Sequence, residues 1–320
     1  MNIIKQSNAS AFMALNAALW GSSYIWSKLL LGHLPYFTLL FMFSFGGFIT
    51  ILIIFNKRLK SFNRKTVAIG CVLGSLSILS NISCMLALGN TSSSNTAFIV
   101  QLSVVFTPLI MTVAKRILPS KREVFSAITA MTGLVLLTFN FNDLSSFRFN
   151  VGDIFALANA IFFSLYLAIL KLYSDIADPI QLSFVQHVVS TAAFLGLATI
   201  SKTFFVDYGN MNISVLVVLT ISILISVSTI LIQASAIRYE KAERAVVIYT
   251  LEPVTAAVLA YVVMGEKLQG VNAVVGSILI LLAVTVAVYK RRGILKPLIQ
   301  SRPRNPAIPL LNRSLRRPWI

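Results

Sequence analysis

Charge is scarce in this chain of 320 residues, where Asp, Glu, Lys and Arg make up only 12%. Soluble domains usually carry about twice that share. Acids are scarcer still, 10 against 27 Lys and Arg, giving a formal net charge of +17. There are two histidines and two cysteines, and Cys71 and Cys84 fall thirteen residues apart in one apolar segment. That spacing excludes a disulfide framework or a cysteine-rich metal site, so both cysteines read as packing residues. No HExxH, Asp-rich metal motif or Gly-x-Ser-x-Gly occurs, which argues against an intramembrane enzyme. No Walker-type glycine loop occurs either, so ATP does not drive this chain directly. The basic residues are clustered and leave long runs almost free of charge, a distribution unlike that of a nucleic-acid binder.

What is abundant is apolar: 57% of residues are hydrophobic. One soluble core could not hide them all, because even a well-packed domain exposes much of its surface. Lipid must be the solvent for much of the chain. A bilayer core needs about 20 apolar residues per helix, and runs of that length fall near 11–31, 35–55, 67–88, 94–114, 123–140, 151–171, 180–200, 213–237, 245–264 and 270–289. The predicted fold is therefore all-α, a membrane protein of ten transmembrane helices. Short connections carry helix-ending residues, as at Gly32 to Pro35, Pro119 and Asp178-Pro179. The first run is longer than a signal-peptide core and reads as a retained helix.

Short cytoplasmic loops attract Lys and Arg. With the N-terminus inside, 23 basic residues fall on the cytoplasmic side and four (Lys28, Arg148, Lys202, Lys267) outside. Both termini are thus expected in the cytoplasm, with residues 1–10 a short lead and 290–320 a basic, disordered tail. Basic residues in these clusters read as membrane-side anchors.

The chain also repeats itself. An offset of 149 aligns the third to fifth helices with the eighth to tenth, with identities at Ser77/Ser226, Ala87/Ala236, Ile99/Ile248, Leu102/Leu251, Val105/Val254, Val113/Val262 and Val135/Val284. At an offset of 142 the first and sixth helices match at Ala14/Ala156, Leu15/Leu157, Ala18/Ala160, Ser22/Ser164 and Tyr24/Tyr166. These pairs define two five-helix units, 11–140 and 151–289. Five is odd, so the second unit enters the membrane in the opposite sense. Inverted repeats of this kind recur in secondary transporters, which rock their halves about a site near the midplane.

Several segments carry a family likeness: Asn16-Ala17-Ala18-Leu19-Trp20-Gly21-Ser22-Ser23-Tyr24, the stretch Ala97 to Pro108, Leu251-Glu252-Pro253-Val254, and Met264-Gly265-Glu266-Lys267-Leu268. Over 11–289 the chain resembles the EamA-like members of the drug/metabolite transporter superfamily. The resemblance implies two EamA repeats, a central cavity between the halves and residence in the cell (inner) membrane. It also implies export of amino acids or other small metabolites, or, as in distant relatives, carriage of nucleotide sugars or sugar phosphates. Ile117-Leu118 stands where the repeat would offer a counterpart to Glu266-Lys267, which weakens any symmetric acidic turn.

Of the ten acids, Glu252 is the one placed well inside a span. A charge there costs about 2.5–3.5 kcal/mol on insertion scales, so it faces a cavity or a partner. Pro253 follows it and, lacking an N–H, frees a carbonyl nearby. Three roles are open to Glu252: contact with a substrate amine, proton coupling, or a structural hydrogen bond. Polar residues at helical spacing mark inward faces: Asn16, Trp20, Ser23 and Ser27; Ser77, Asn81 and Cys84; Asn159, Phe163 and Tyr166; Ser222, Ser226, Thr229 and Gln233. Small hydroxyl residues commonly join helices, whereas the bulkier Trp20, Tyr24, Asn81, Tyr166 and Gln233 are assigned to the cavity. Gln101 and Tyr249 join them on the strength of the resemblance. His187, with Ser183 and Ser190 on its face, is either a proton relay or an interhelical hydrogen-bonder. Gly70 and Gly74 predict close helix packing.

The expected function is secondary transport by alternating access, with no cofactor, metal or nucleic-acid partner. A small-molecule substrate and the bilayer are the expected partners, and homo-oligomerisation is left open. An importer or uniporter of nucleotide-like or sugar-phosphate metabolites is the alternative, ahead of a channel.

Overall fold

Helix starts follow local chemistry. Asp178 caps α7 (Pro179–Ile200) by accepting the N–H groups of Ile180 and Gln181 at 2.8 and 3.3 Å. Pro179 takes the first position, where its missing N–H costs nothing. Asn150 and Asp153 form a reciprocal capping box at the start of α6 (Val151–Tyr173). Asn212 caps α8 (Ile213–Ala236), and Pro35 precedes α2 (Tyr36–Phe55). The others are α1 (Ala9–Leu31), α3 (Arg64–Asn90), α4 (Ser103–Lys115), α5 (Lys121–Thr138) and α10 (Gly270–Val288). The ninth segment, α9, comes in two pieces, Ala242–Tyr249 and Leu251–Met264.

This computed structural model describes residues 4, 6–90, 96, 99–116, 118–138, 150–204, 212–264 and 270–288. All lie in one unit, Met1–Val288. The predicted tail from Lys290, the turn at Glu266-Lys267 and the side chain of Tyr24 fall outside the described residues. Among the described residues there is no strand, and each predicted span is mainly helical. Six segments are long and apolar enough to cross a bilayer: Tyr36–Arg58, Arg64–Ala87, Val151–Tyr173, Pro179–Ile200, Ile213–Tyr239 and Ala242–Val263. Ser103–Lys115 and Val274–Val288 are shorter apolar helices. The remaining two have their own reasons: α1 carries an interior polar stripe, and α5 opens on Lys121-Arg122-Glu123.

Two spans differ from the sequence expectation of continuous helices. In α9 the chain steps at Thr250, whose N–H and hydroxyl both donate to the Val247 carbonyl, at 3.2 and 2.7 Å. Pro253 denies the Tyr249 carbonyl its helical donor, so the regular pattern has to restart beyond it. In the fourth span a turn at Gln101-Leu102 interrupts the helix before α4 begins at Ser103. The offset of 149 maps Gln101 onto Thr250 and Leu102 onto Leu251. Both repeats therefore break at the same place.

Packing obeys the same symmetry. Helix α1 packs on α8 and α9, and five helices later α6 packs on α3 and α4. Likewise α2 meets α8 as α7 meets α3, while α2 with α7, α5 with α10 and α4 with α9 are self-related pairs. Each helix thus finds its main partners in the other repeat, and the two repeats interleave. Gly70 and Gly74 serve the α3–α7 contact as expected, since a Cβ on Gly70 would come within 2.7 Å of Val185. The outward faces are apolar, with Ile53, Val113, Ile200 and Val262 all exposed, as suits contact with lipid.

Candidate functional site

Because successive helices alternate in direction, the starts of α1, α7 and α9 and the end of α6 share one end of the bundle. Asn16, Gln186, Tyr249 and Tyr166 each lie seven residues in from those termini. At 1.5 Å per residue they form a layer about 10 Å deep. The Asn16 side-chain amide donates to the Tyr249 hydroxyl at 3.3 Å, and the Tyr166 hydroxyl donates to Gln186 Oε1 at 3.0 Å. All four are buried. The Phe163 ring bridges the two pairs, its centroid 6.2 Å from that of Tyr166 and 6.3 Å from that of Tyr249.

This layer is a floor. On its near side α9 is encased, with Ala245, Val246, Val247, Ile248, Tyr249 and Thr250 at most 2% exposed. Beyond the break the burial changes: Leu251, Glu252 and Pro253 are only partly covered, and Val258, Tyr261 and Val262 are exposed. A cavity between the halves, as the resemblance implies, would have to lie beyond this layer, on the side where α9 is less covered.

Glu252 stands about 15 Å deep by the same count, in the first turn of the second piece of α9. It lies within electrostatic reach of Cys84 on α3 and of Tyr249. Gly21 of α1 lets that piece approach, since a Cβ would come within 2.5 Å of the Glu252 carbonyl and 2.8 Å of Thr255 Cβ. Trp20, the neighbour of Gly21, is half-buried. Gln101 is buried at the break before α4, and Gln233 is buried on α8 with its Nε2 bonded to no protein group. The offset of 149 maps Gln233 onto Cys84, so the two repeats contribute equivalent positions. Gln186 Nε2 and Asn16 Oδ1 are likewise without a protein partner.

Asn81 spends its side-chain amide on its own helix, donating to the Ser77 carbonyl at 2.8 Å, while its backbone carbonyl accepts the Tyr36 hydroxyl at 3.3 Å. The hydroxyls of Ser23, Ser222 and Thr229 in the predicted stripes, and of Ser22 beside them, bond within their own helices, each to a carbonyl one turn back, rather than across to a neighbour. His187 sits elsewhere. Its Nδ1 lies 2.8 Å from the Ser183 carbonyl, and its ring fills the space that a side chain at Gly47 of α2 would need. None of its described contacts reaches the Glu252 group.

Sequence reasoning did not single out Asn16, Tyr36, Asn159, Phe163 or Gln186 as site residues. Asn16, Asn159 and Phe163 stand in the predicted polar stripes, and Gln186 adjoins His187. Tyr36 gave no signal beyond an aromatic at a helix start. Asn159 joins α6 to α3 through Ser80, donating to its carbonyl at 2.6 Å and its hydroxyl at 3.0 Å. Among the described residues no group of three His, Cys, Asp or Glu could hold a metal ion.

Comparison with known proteins adds family context. The family model for EamA-like transporters matches residues 8–139 and again 150–289. An uncharacterized transporter of Archaeoglobus fulgidus is 29% identical over 284 residues, covering 88% of this chain and 86% of its own. A protein of known crystal structure superposes with a TM-score of 0.72 at 18% identity, over 88% of this chain and 99% of its own. That last likeness concerns the fold alone.

Proposed function

Because this chain belongs to the EamA-like transporter family, within the drug/metabolite transporter superfamily, we propose that it is a secondary exporter of amino acids or related small metabolites. The observation that carries the reading is the floor formed by Asn16–Tyr249 and Tyr166–Gln186, drawn from both repeats and lying just below Glu252. A substrate resting on it would meet Trp20, Asn81 and Gln101 as well, with Tyr24 on the same stretch of α1; Gln233, three residues from the end of α8, stands no higher than the floor and would be met as the floor opens. Alternating access then closes the cavity above and opens the floor, the repeats 11–140 and 151–289 exchanging roles.

Amines suit this site better than phosphates do. Glu252 and the Tyr249 carbonyl, which lacks its helical donor, are both acceptors, and an ammonium brings only donors. A sugar phosphate would need cations at this depth instead, as phosphate recognition generally does. Glu252 is the candidate for substrate amine contact or proton coupling, and His187 is a further proton-coupling candidate. The basic end faces the cytoplasm in this reading, following the excess of Lys and Arg there, and the chain resides in the cell membrane.

Uptake of labelled amino acids into proteoliposomes, with and without a pH gradient, tests the reading. Native protein should accumulate at least one of them, and Glu252→Gln should transport at least about tenfold more slowly, the loss of one charged contact. Failure of every amino acid and amine to move would sink it. Unchanged transport by the variant at every pH would relegate Glu252 to structure.

A further inference from the structure

Sequence alone places Glu240 in a link between helices, yet it is only 3% exposed. It sits at the end of the link that joins α8 to α9, after the short turn Ile237–Tyr239. Its carboxylate accepts from Arg244 Nη1 at 2.6 Å and from the Ser10 hydroxyl on α1. The next residue, Lys241, places its ammonium 2.7 Å from Glu123 Oε1 on α5. Arg238 donates to the Ser174 and Ala177 carbonyls at 2.8 and 3.0 Å, past the end of α6. Lys171 of α6 donates back to the Ile237 and Arg238 carbonyls at 2.9 and 2.8 Å. Ile237, Arg238, Glu240 and Lys241 are thus fastened to α1, α5, α6 and the α6–α7 link.

These fastenings lie at the end of the bundle where the floor is nearest. They hold the start of the encased piece of α9, the piece that ends in Tyr249 of the floor. In sequence the other repeat lacks these ionisable residues: the offset of 149 maps Arg238, Glu240, Lys241 and Arg244 onto Gly89, Thr91, Ser92 and Asn95. None of those four can ionise. The repeats are alike in helix packing and unlike in the residues their sequences place at these equivalent positions.

We propose that the α8–α9 link is an ion-pair gate: Glu240 with Arg244 and Ser10, and Lys241 with Glu123, close the cavity at the basic end, and their release opens it there. This rests on the transport reading above for its role. It adds the residues that set which side of the cavity is shut. Ion pairs that are made only while the basic end is closed favour that state, so the basic-end-closed conformation dominates at rest.

Labelling with a membrane-impermeant maleimide tests the gate without relying on transport. Ala245→Cys, made in a chain with Cys71→Ser and Cys84→Ser, places a thiol just inside the gate. It should be protected in the native background, and Lys241→Glu should raise its labelling from the basic side about tenfold, equivalent to about 1.4 kcal/mol. Adding Glu123→Lys to Lys241→Glu should restore protection. In the chain retaining Cys84, the same Lys241→Glu change should lower labelling of Cys84 from the opposite side. A rise at position 245 without a fall at Cys84 would mean local fraying and would overturn the gate, as would failure of the charge swap to restore protection. Substrate uptake is measured on the same preparations. A reciprocal labelling switch with no uptake would support the gate while sinking the amino-acid reading; uptake with no labelling switch would do the reverse.

Discussion

Among the described residues, the two ends of the bundle are held by different chemistry. At the basic end the ion pairs Arg58–Asp178, Glu123–Lys241 and Glu240–Arg244 join or brace helices, and cationic side chains cap carbonyls of neighbouring elements. At the other end Tyr36 donates to the Asn81 carbonyl and Thr38 to the Thr203 carbonyl, both neutral hydroxyl-to-carbonyl bonds. Neutral bonds of this kind contribute about 0.5–1.5 kcal/mol each, and bonds involving charges contribute more. An architecture with near twofold packing symmetry can therefore prefer one access state without any asymmetry in its helices.

The largest effect should come from forcing apart the two elements that meet just above the floor. Gly21→Val places a branched side chain where a Cβ alone would already lie 2.5 Å from the Glu252 carbonyl. We expect destabilisation of about 2–3 kcal/mol, the upper range for overpacking, and transport reduced to background in proteoliposomes. Retention of native transport would show that α1 and the second piece of α9 do not meet this closely.

Next in size is the contrast between the ion pairs of the basic end. Glu240→Ala strands a partly covered Arg244 and should cost about 2 kcal/mol, below the 3–5 kcal/mol for a fully buried pair. Arg58→Ala removes a 3.7 Å pair whose partners are about one third exposed, and should cost less than about 1 kcal/mol. Thermal unfolding in detergent measures both. Equal losses would mean that burial does not rank these pairs.

Much of this was readable from residues, and the unreadable part has a physical pattern. Span length and the offset of 149 gave the ten segments and the inverted repeat, because apolar runs must cover lipid whatever they pack against. Pro253 signalled disruption near Glu252, but the matching turn at Gln101-Leu102 follows no proline and came only with the structure. Gly70 and Gly74 declared a close contact without naming α7 as its partner. Tyr166 and Tyr249 were singled out, but their bonds to Gln186 and Asn16 depend on which helices cross. Glu240 was hidden for the same reason: a link residue reads as solvated until the helices that cover it are known. For His187 the polar face was legible, but the contact of its ring with Gly47 depends on α2 crossing α7 there.

The smallest expected effect separates the two halves of the gate by salt. Lys241 is 58% exposed beside a Glu123 that is 10% exposed, so mobile ions reach one partner of that pair. Glu240 is 2% exposed in its side chain and its pair with Arg244 is largely shielded. Raising ionic strength to about 1 M shortens the screening length to about 3 Å, which weakens exposed pairs by a fraction of their modest value. Labelling of Ala245→Cys from the basic side should therefore rise about twofold with salt. In the Glu123→Gln background the salt response should vanish, because the remaining Glu240–Arg244 pair is not screened. A salt response that survives Glu123→Gln would place the screened contact elsewhere at the basic end and remove Lys241 from the gate.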